Sequence, residues 1–281
     1  MTTVSPNQIS LEEFMKHKLY NQEMLPELVE FHNTNKTRLN RGNSNWRKFD
    51  QRPSENWLVA NKFKQNDEEK LYSQFRSILN KLSDSNFDNL AKELTTLEIG
   101  KSEQLAKLAE FIFNKAIIES KFAITYAKLS KELAGYSVKE DDKTIFFREL
   151  LINRCQVMFN DCSSYDPGVP NKILITKEIA TGCMIFIGEL YNLELLTNKI
   201  INSCFLLLLM KITQNKAYIV DCLCALMKTS GNTFSRKSNP DAKIILDKIE
   251  KIVSGKDKVD LSNRDKFALM DIIDLKKANK W

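Results

Sequence analysis

The sequence is poor in proline and glycine, with 6 and 8 in 281 residues. That scarcity excludes a collagen-like, linker-rich or low-complexity chain. No proline falls in 54–166 or 171–239, and such long runs without the strongest helix breaker favour an all-α fold. The only two histidines, His17 and His32, lie near the N-terminus. There is no GxxxxGK[ST] phosphate loop, GxGxxG, HExxH or GxSxG motif. With no constellation to carry catalysis, the chain reads as a non-enzyme without cofactor or metal. Its most apolar run, Ile200 to Ile212, is broken by Asn202 and Ser203. It is too short to span a bilayer and reads as a buried helix. The N-terminus has no charged-then-apolar leader pattern. No CxxC pair occurs among the six cysteines, and most of them sit in apolar helical patterns. They read as free, small hydrophobes in a reducing compartment.

What is present is helical periodicity. Leu71, Phe75, Ile78, Leu79 and Leu82 form one apolar stripe of a first helix starting at Asp67. Nine more helices are expected, at about 85–96, 102–118, 120–134, 142–160, 173–193, 195–213, 215–229, 240–254 and 263–277. Ser85-x-x-Asp88 and Ser262-x-x-Asp265 fit capping boxes, and Asn239-Pro240 fits a cap followed by a first-turn proline. Gly100, Gly135, Gly231 and Gly255 are expected between helices. Gly182 and Gly188 fall inside one helix, where close packing is their expected role. Glu189, also there, is expected to be a structural hydrogen-bonding group. Phe147, Leu151 and Cys155 share a core stripe. Ten helices with short connectors give about five antiparallel pairs. The fold class is therefore all-α, an α-solenoid of HEAT-like pairs over 67–281, with a globular bundle as the alternative. Residues 1–66 read as a largely disordered arm with a short ordered motif near 11–31.

Charge is concentrated. The chain carries 42 Lys plus Arg against 36 Asp plus Glu, a net +6. Between Lys36 and Lys64 stand eight bases and only two acids, Asp50 and Glu55, so this segment alone accounts for 8 − 2 = +6. Such a segment points to an acidic partner, nucleic acid first, or else to a solvated linker. Trp46 and Trp57 interleave with its bases, as stacking on single-stranded RNA would use. The candidate RNA contacts are Arg41, Arg47, Lys48, Arg52, Lys62 and Lys64.

Several stretches occur together and in order: Ser77-Ile78-Leu79-Asn80-Lys81-Leu82, Phe113-Asn114-Lys115-Ala116, Phe147 through Gln156, Phe186-Ile187-Gly188-Glu189-Leu190-Tyr191, Cys222-Leu223-Cys224-Ala225-Leu226, and Asp271-Ile272-Ile273-Asp274-Leu275 with the Asn279-Lys280-Trp281 tail. Over about 70–281 the chain resembles the middle domain of eukaryotic translation initiation factor 4 gamma. That resemblance implies five HEAT-like pairs and a scaffold. It implies binding of RNA and of the DEAD-box helicase initiation factor 4A, whose two lobes the domain holds in an arrangement favouring the ATPase cycle. It also implies cytoplasmic location, and no membrane or small-molecule partner. The helicase contacts it suggests are Trp57, Phe63, Arg148, Arg154, Arg264 and Phe267. Trp57 has an alternative place, folded back on the first helical pair.

In the arm, Tyr20-Asn21-Gln22-Glu23-Met24-Leu25 resembles the family's peptide for the cap-binding subunit, initiation factor 4E. One helical turn would bring Tyr20, Met24 and Leu25 onto one face. The next position, apolar in the pattern, is Pro26 here, which disfavours helix at Leu25. Leu28 and Val29 are candidates to replace the lost contact. The segment 160–172 is much shorter than the charged insertion of animal relatives. The end at Trp281 implies a compact form without their further C-terminal domains. The rival readings are a decay or nuclear cap-binding protein with the same domain, and a plain solenoid adaptor.

Overall fold

The structure is a computed structural model that describes residues 67–140, 143–164, 175–212, 214, 218–257 and 259–278. These residues form α1 (Asp67–Lys81), α2 (Phe87–Thr96), α3 (Ser102–Ile118), a 3₁₀ turn (Ser120–Phe122) and α4 (Ala123–Glu132). A hairpin of β1 (Ser137–Glu140) and β2 (Lys143–Phe146) follows. Then come α5 (Phe147–Ser164), α6 (Lys177–Asn192), α7 (Asn198–Ile212), α8 (Ile219–Lys237), α9 (Asn239–Val253) and α10 (Asn263–Lys277).

Consecutive helices pack as pairs, α1 with α2 through α9 with α10. The odd-numbered helices also touch in series, α1–α3–α5–α7–α9, and the even-numbered ones do the same, α2–α4–α6–α8–α10. Two stacked layers with nearest-neighbour contacts define an α-solenoid. The expected five pairs are all present, and the globular-bundle alternative is set aside.

Helix α6 lies at the centre, against α3, α4, α5, α7 and α8. Its sequence permits this because small residues stand where neighbours come closest. A Cβ on Gly182 would lie 2.1 Å from the Ile117 carbonyl oxygen, and one on Gly188 would lie 2.8 Å from Thr229. Phe186 meets Phe113 edge-on, with ring centroids 5.8 Å apart, an arrangement aromatic pairs prefer. Phe147, Leu151 and Cys155 are buried as expected.

The hairpin corrects the expected helix at 142–160. Val138 pairs with Ile145 and Lys139 with Thr144, and the oppositely charged Glu140 and Lys143 stand opposite each other. The Phe147 amide donates to the Tyr136 carbonyl at 2.9 Å, closing the base of the ribbon. No glycine or proline separates β2 from α5, so sequence punctuation does not mark the change.

Three cap assignments also change. Helix α2 begins after Asn86, not Ser85: Asn86 accepts from the Ser83 amide and donates to the Lys81 carbonyl, both at 2.7 Å. The cap of α9 is Ser238, one residue before the expected Asn239. Gly231 is buried inside α8, which runs on to Lys237 instead of ending near 229. Gly255 does end α9, at φ +76°, with its amide on Ile252 and the Lys256 amide on Lys251, a Schellman motif.

The cap at Ser262 stands as expected. Its hydroxyl accepts from the Asp265 amide at 3.1 Å and donates to the Asp265 carboxylate at 2.7 Å. Ser262→Ala should cost about 1 kcal/mol, lowering the melting midpoint by about 2–4 °C. Calorimetry of the two proteins checks this, and equal midpoints would remove the cap from the account.

Candidate functional site

The most exposed aromatic among the described residues is Phe267, at 65%. It sits on α10 one turn after Arg264 and one turn before Met270, itself 41% exposed. The opposite face of α10 buries Leu269, Ile272 and Ile273. Polar, aromatic and apolar groups are thus left on the outer face, where a partner can reach them.

Arg264 is fixed by charge. Its guanidinium meets Asp221 of α8 at 2.6 Å, and Asp221 also meets Lys177 of α6 at 3.0 Å. Asp221 is mostly covered, whereas Arg264 is largely exposed. The network therefore joins the starts of α6, α8 and α10, and Arg264 presents a held, charged edge beside Phe267. Further along α10, Asp271, Asp274, Leu275 and Ala278 line a shallow groove with Lys228 of α8.

The other two described candidates lie elsewhere. Arg148 starts α5 and donates twice to the Leu195 carbonyl, from Nε at 3.2 Å and from a terminal nitrogen at 2.8 Å. It thereby anchors the α6–α7 turn. Arg154 stacks 5.6 Å from the centre of the Phe113 ring, and its Nε is buried without a hydrogen-bond partner. Both belong to the odd layer, in the third pair, whereas Arg264 and Phe267 close the even layer. The structure does not bring the two sets together. Trp57, Phe63, the peptide Tyr20, Met24 and Leu25, and the bases Arg41, Arg47, Lys48, Arg52, Lys62 and Lys64 lie outside the described residues.

A second exposed apolar corner was not anticipated. Ile118, Phe122 and Ile124 cluster in sequence where α3 turns into α4 and are 72%, 52% and 45% exposed. Helical spacing could not flag them, because a turn breaks the register that periodicity reads. Met270 was readable, as the third-residue neighbour of Phe267.

The cysteines behave as core. Burial pushes the Cys155, Cys204 and Cys224 thiols up to about 12, so they stay protonated near neutrality. The Glu189 carboxyl is also raised by burial and accepts from Asn192 at 3.4 Å. Asn192 in turn donates to the Thr229 carbonyl at 3.0 Å, which fits the structural role expected for Glu189. Among the described residues, no group of three or more His, Cys, Asp or Glu could hold a metal ion. No described helix is long and apolar enough to cross a membrane.

Comparison with known proteins places the chain in a family. The family model described as the MIF4G domain matches residues 73–279. The chain belongs to the MIF4G family. Over 236 residues it is 32% identical to eukaryotic translation initiation factor 4 gamma 1 of Mus musculus, covering 74% of this chain and 14% of that protein. Over 235 residues it is 31% identical to eukaryotic translation initiation factor 4G of Cucumis melo, covering 76% of this chain and 12% of that protein. The MIF4G chain thus corresponds to a small part of each of these relatives. The crystal structure of the MIF4G domain of Trypanosoma cruzi translation initiation factor EIF4G5 superposes with a TM-score of 0.50 at 21% identity, covering 75% of this chain and 96% of that one. That likeness concerns the fold.

Proposed function

We propose that this chain is a non-catalytic scaffold of translation initiation that holds the DEAD-box helicase initiation factor 4A and RNA. The observation that carries the reading is the MIF4G match over 73–279, shared with initiation factors 4 gamma. The outer face of α10, with Phe267 exposed beside the ion-paired Arg264, supplies what a docking surface needs. Exposed aromatic and arginine side chains are the types enriched among interface hot spots. Trp57 and Phe63 of the arm, and Arg148 and Arg154 of α5, are the other contacts proposed for the helicase. A scaffold accelerates its partner's cycle only by binding some lobe arrangements more tightly than others. The described solenoid suits this, because its two layers hold distant contact points at fixed spacing.

The basic segment, with Arg41, Arg47, Lys48, Arg52, Lys62 and Lys64, contacts RNA phosphates. The peptide around Tyr20 binds the cap-binding subunit, initiation factor 4E, and so brings capped mRNA to the helicase in the cytoplasm. No cofactor, small-molecule substrate or membrane enters this scheme. The test is catalytic in the partner: adding this chain to purified initiation factor 4A should raise its RNA-stimulated ATP hydrolysis. An unchanged rate at saturating chain concentration would overturn the scaffold reading.

A further inference from the structure

The groove that α10 shares with α8 is framed by two contacts between these helices. Before it, the Cys224 thiol donates to the Ala268 carbonyl at 3.5 Å; after it, Lys276 Nζ donates to Ser235 Oγ at 2.7 Å. Lys228, Asp271, Asp274 and Leu275 stand between these contacts in sequence, and Ala278 completes the lining just beyond. The space is about 420 Å³, room for one large side chain. Leu275 and Ala278 give it an apolar wall. Lys228 is exposed and makes no ion pair among the described residues. Among those residues no helix follows α10 to cover this face, and the terminal repeat of a solenoid needs a cap.

The sequence after α10 reads Asn279-Lys280-Trp281, outside the described residues. This tail leaves from the groove itself, because Ala278 is part of the lining and the cap of α10. Asparagine, after glycine, most readily takes the left-handed conformation that turns a chain back at a helix end. Three residues span at most about 10 Å. Leu275 stands three residues back from Ala278 along α10, about 4.5 Å, and Asp271 seven residues back, about 10.5 Å. The side chain of Trp281 therefore reaches the whole α10 wall. Indole also matches the lining group by group. Its flat body suits Leu275 and Ala278, its N–H suits the carboxylate of Asp271 or Asp274, and its ring face suits the Lys228 ammonium. Lys280 adds a positive charge toward the two carboxylates.

We infer that Trp281 folds back into the groove between α8 and α10, covering Leu275 and Ala278 and lying against Lys228, so that the tail caps the last helix pair. The occupant is a segment of this chain, and the inference stands apart from the helicase and RNA readings.

The test reads Trp281 in the full chain. The sequence holds 3 tryptophans, so Trp46→Phe with Trp57→Phe leaves Trp281 as the only one. Its emission should lie to the blue of that of the same protein in urea, and acrylamide should quench it less. Leu275→Ser in that background should move the emission back to the red and raise the quenching. A second measurement keeps the arm intact. Trp281→Ala should lower the melting midpoint by about 3–6 °C, and Lys228→Gln by about 2 °C. In the Trp281→Ala background Lys228→Gln should have no further effect, because the two share one contact. Emission and quenching that urea leaves unchanged, or additive midpoint shifts, would overturn the inference. Shielding that appears only at high chain concentration would assign the groove to a second copy. Shielding that appears only when initiation factor 4A is added would assign the tail to that partner. Either outcome would likewise overturn it.

Discussion

Gly182→Ala is expected to destabilise the solenoid by about 3 kcal/mol, seen as a melting midpoint lower by about 6–12 °C. The new methyl would stand 2.1 Å from the Ile117 oxygen and 3.0 Å from its carbonyl carbon. Both are backbone atoms at the end of α3, so no side-chain rotation relieves the overlap. Either α6 withdraws from α3 or the end of α3 distorts. Gly188→Ala should cost less, since its neighbour is the Thr229 side chain at 2.8 Å. That side chain is not free, because Thr229 Oγ1 donates to the Ala225 carbonyl at 2.9 Å. Gly135→Ala serves as the control, with nothing within 4 Å of the added methyl, and should move the midpoint little. Equal midpoints for Gly182→Ala and Gly135→Ala would contradict the close approach at the centre of the fold.

The second large effect concerns the arm. Tyr20→Ala together with Leu25→Ala should abolish binding of the full chain to the cap-binding subunit, because the pair supplies both anchors of the proposed peptide contact. Tyrosine offers apolar area and a hydroxyl for a buried partner. Pro26→Leu should tighten binding, since it restores an amide donor and lets the helix continue past Leu25. Proline also stiffens the free chain, which limits the gain. Calorimetric titration of the three proteins into initiation factor 4E checks the order: Pro26→Leu tightest, unaltered chain next, double variant silent. Equal binding by the double variant would mean that the Tyr-x4-Leu match is accidental.

Most of the fold was legible because its signals are local and redundant. The stripe from Leu71 to Leu82 and the core stripe Phe147, Leu151 and Cys155 each repeat at the helical period. Gly182 and Gly188 announced close packing because glycine inside an apolar helix has few other uses. The hairpin at 137–146 was missed because its strands have four residues each and run directly into α5. Gly231 misled because glycine commonly ends helices, yet burial against neighbours carries α8 through it. The candidate site was less legible. Phe267 and Arg264 emerged from a family pattern, and the structure shows them exposed on one face. Periodicity could not say that Arg148 would hold the Leu195 carbonyl or that Arg154 would lie on Phe113, since both depend on contacts between separate helices.

The central claim is that this chain grips the helicase, with the aromatic Trp57 in the arm and Phe267 on α10 as anchors. The most direct measurement is titration of purified initiation factor 4A with the full chain, its Trp57→Ala variant and its Phe267→Ala variant. The account predicts saturable binding by the unaltered chain, weakened by about 2 kcal/mol or more, roughly thirtyfold in Kd, when Trp57 is truncated. Phe267→Ala should weaken it as well, with an unchanged melting midpoint because the ring is exposed. Binding that neither substitution alters would contradict both anchors, and no binding by the unaltered chain would contradict the scaffold itself.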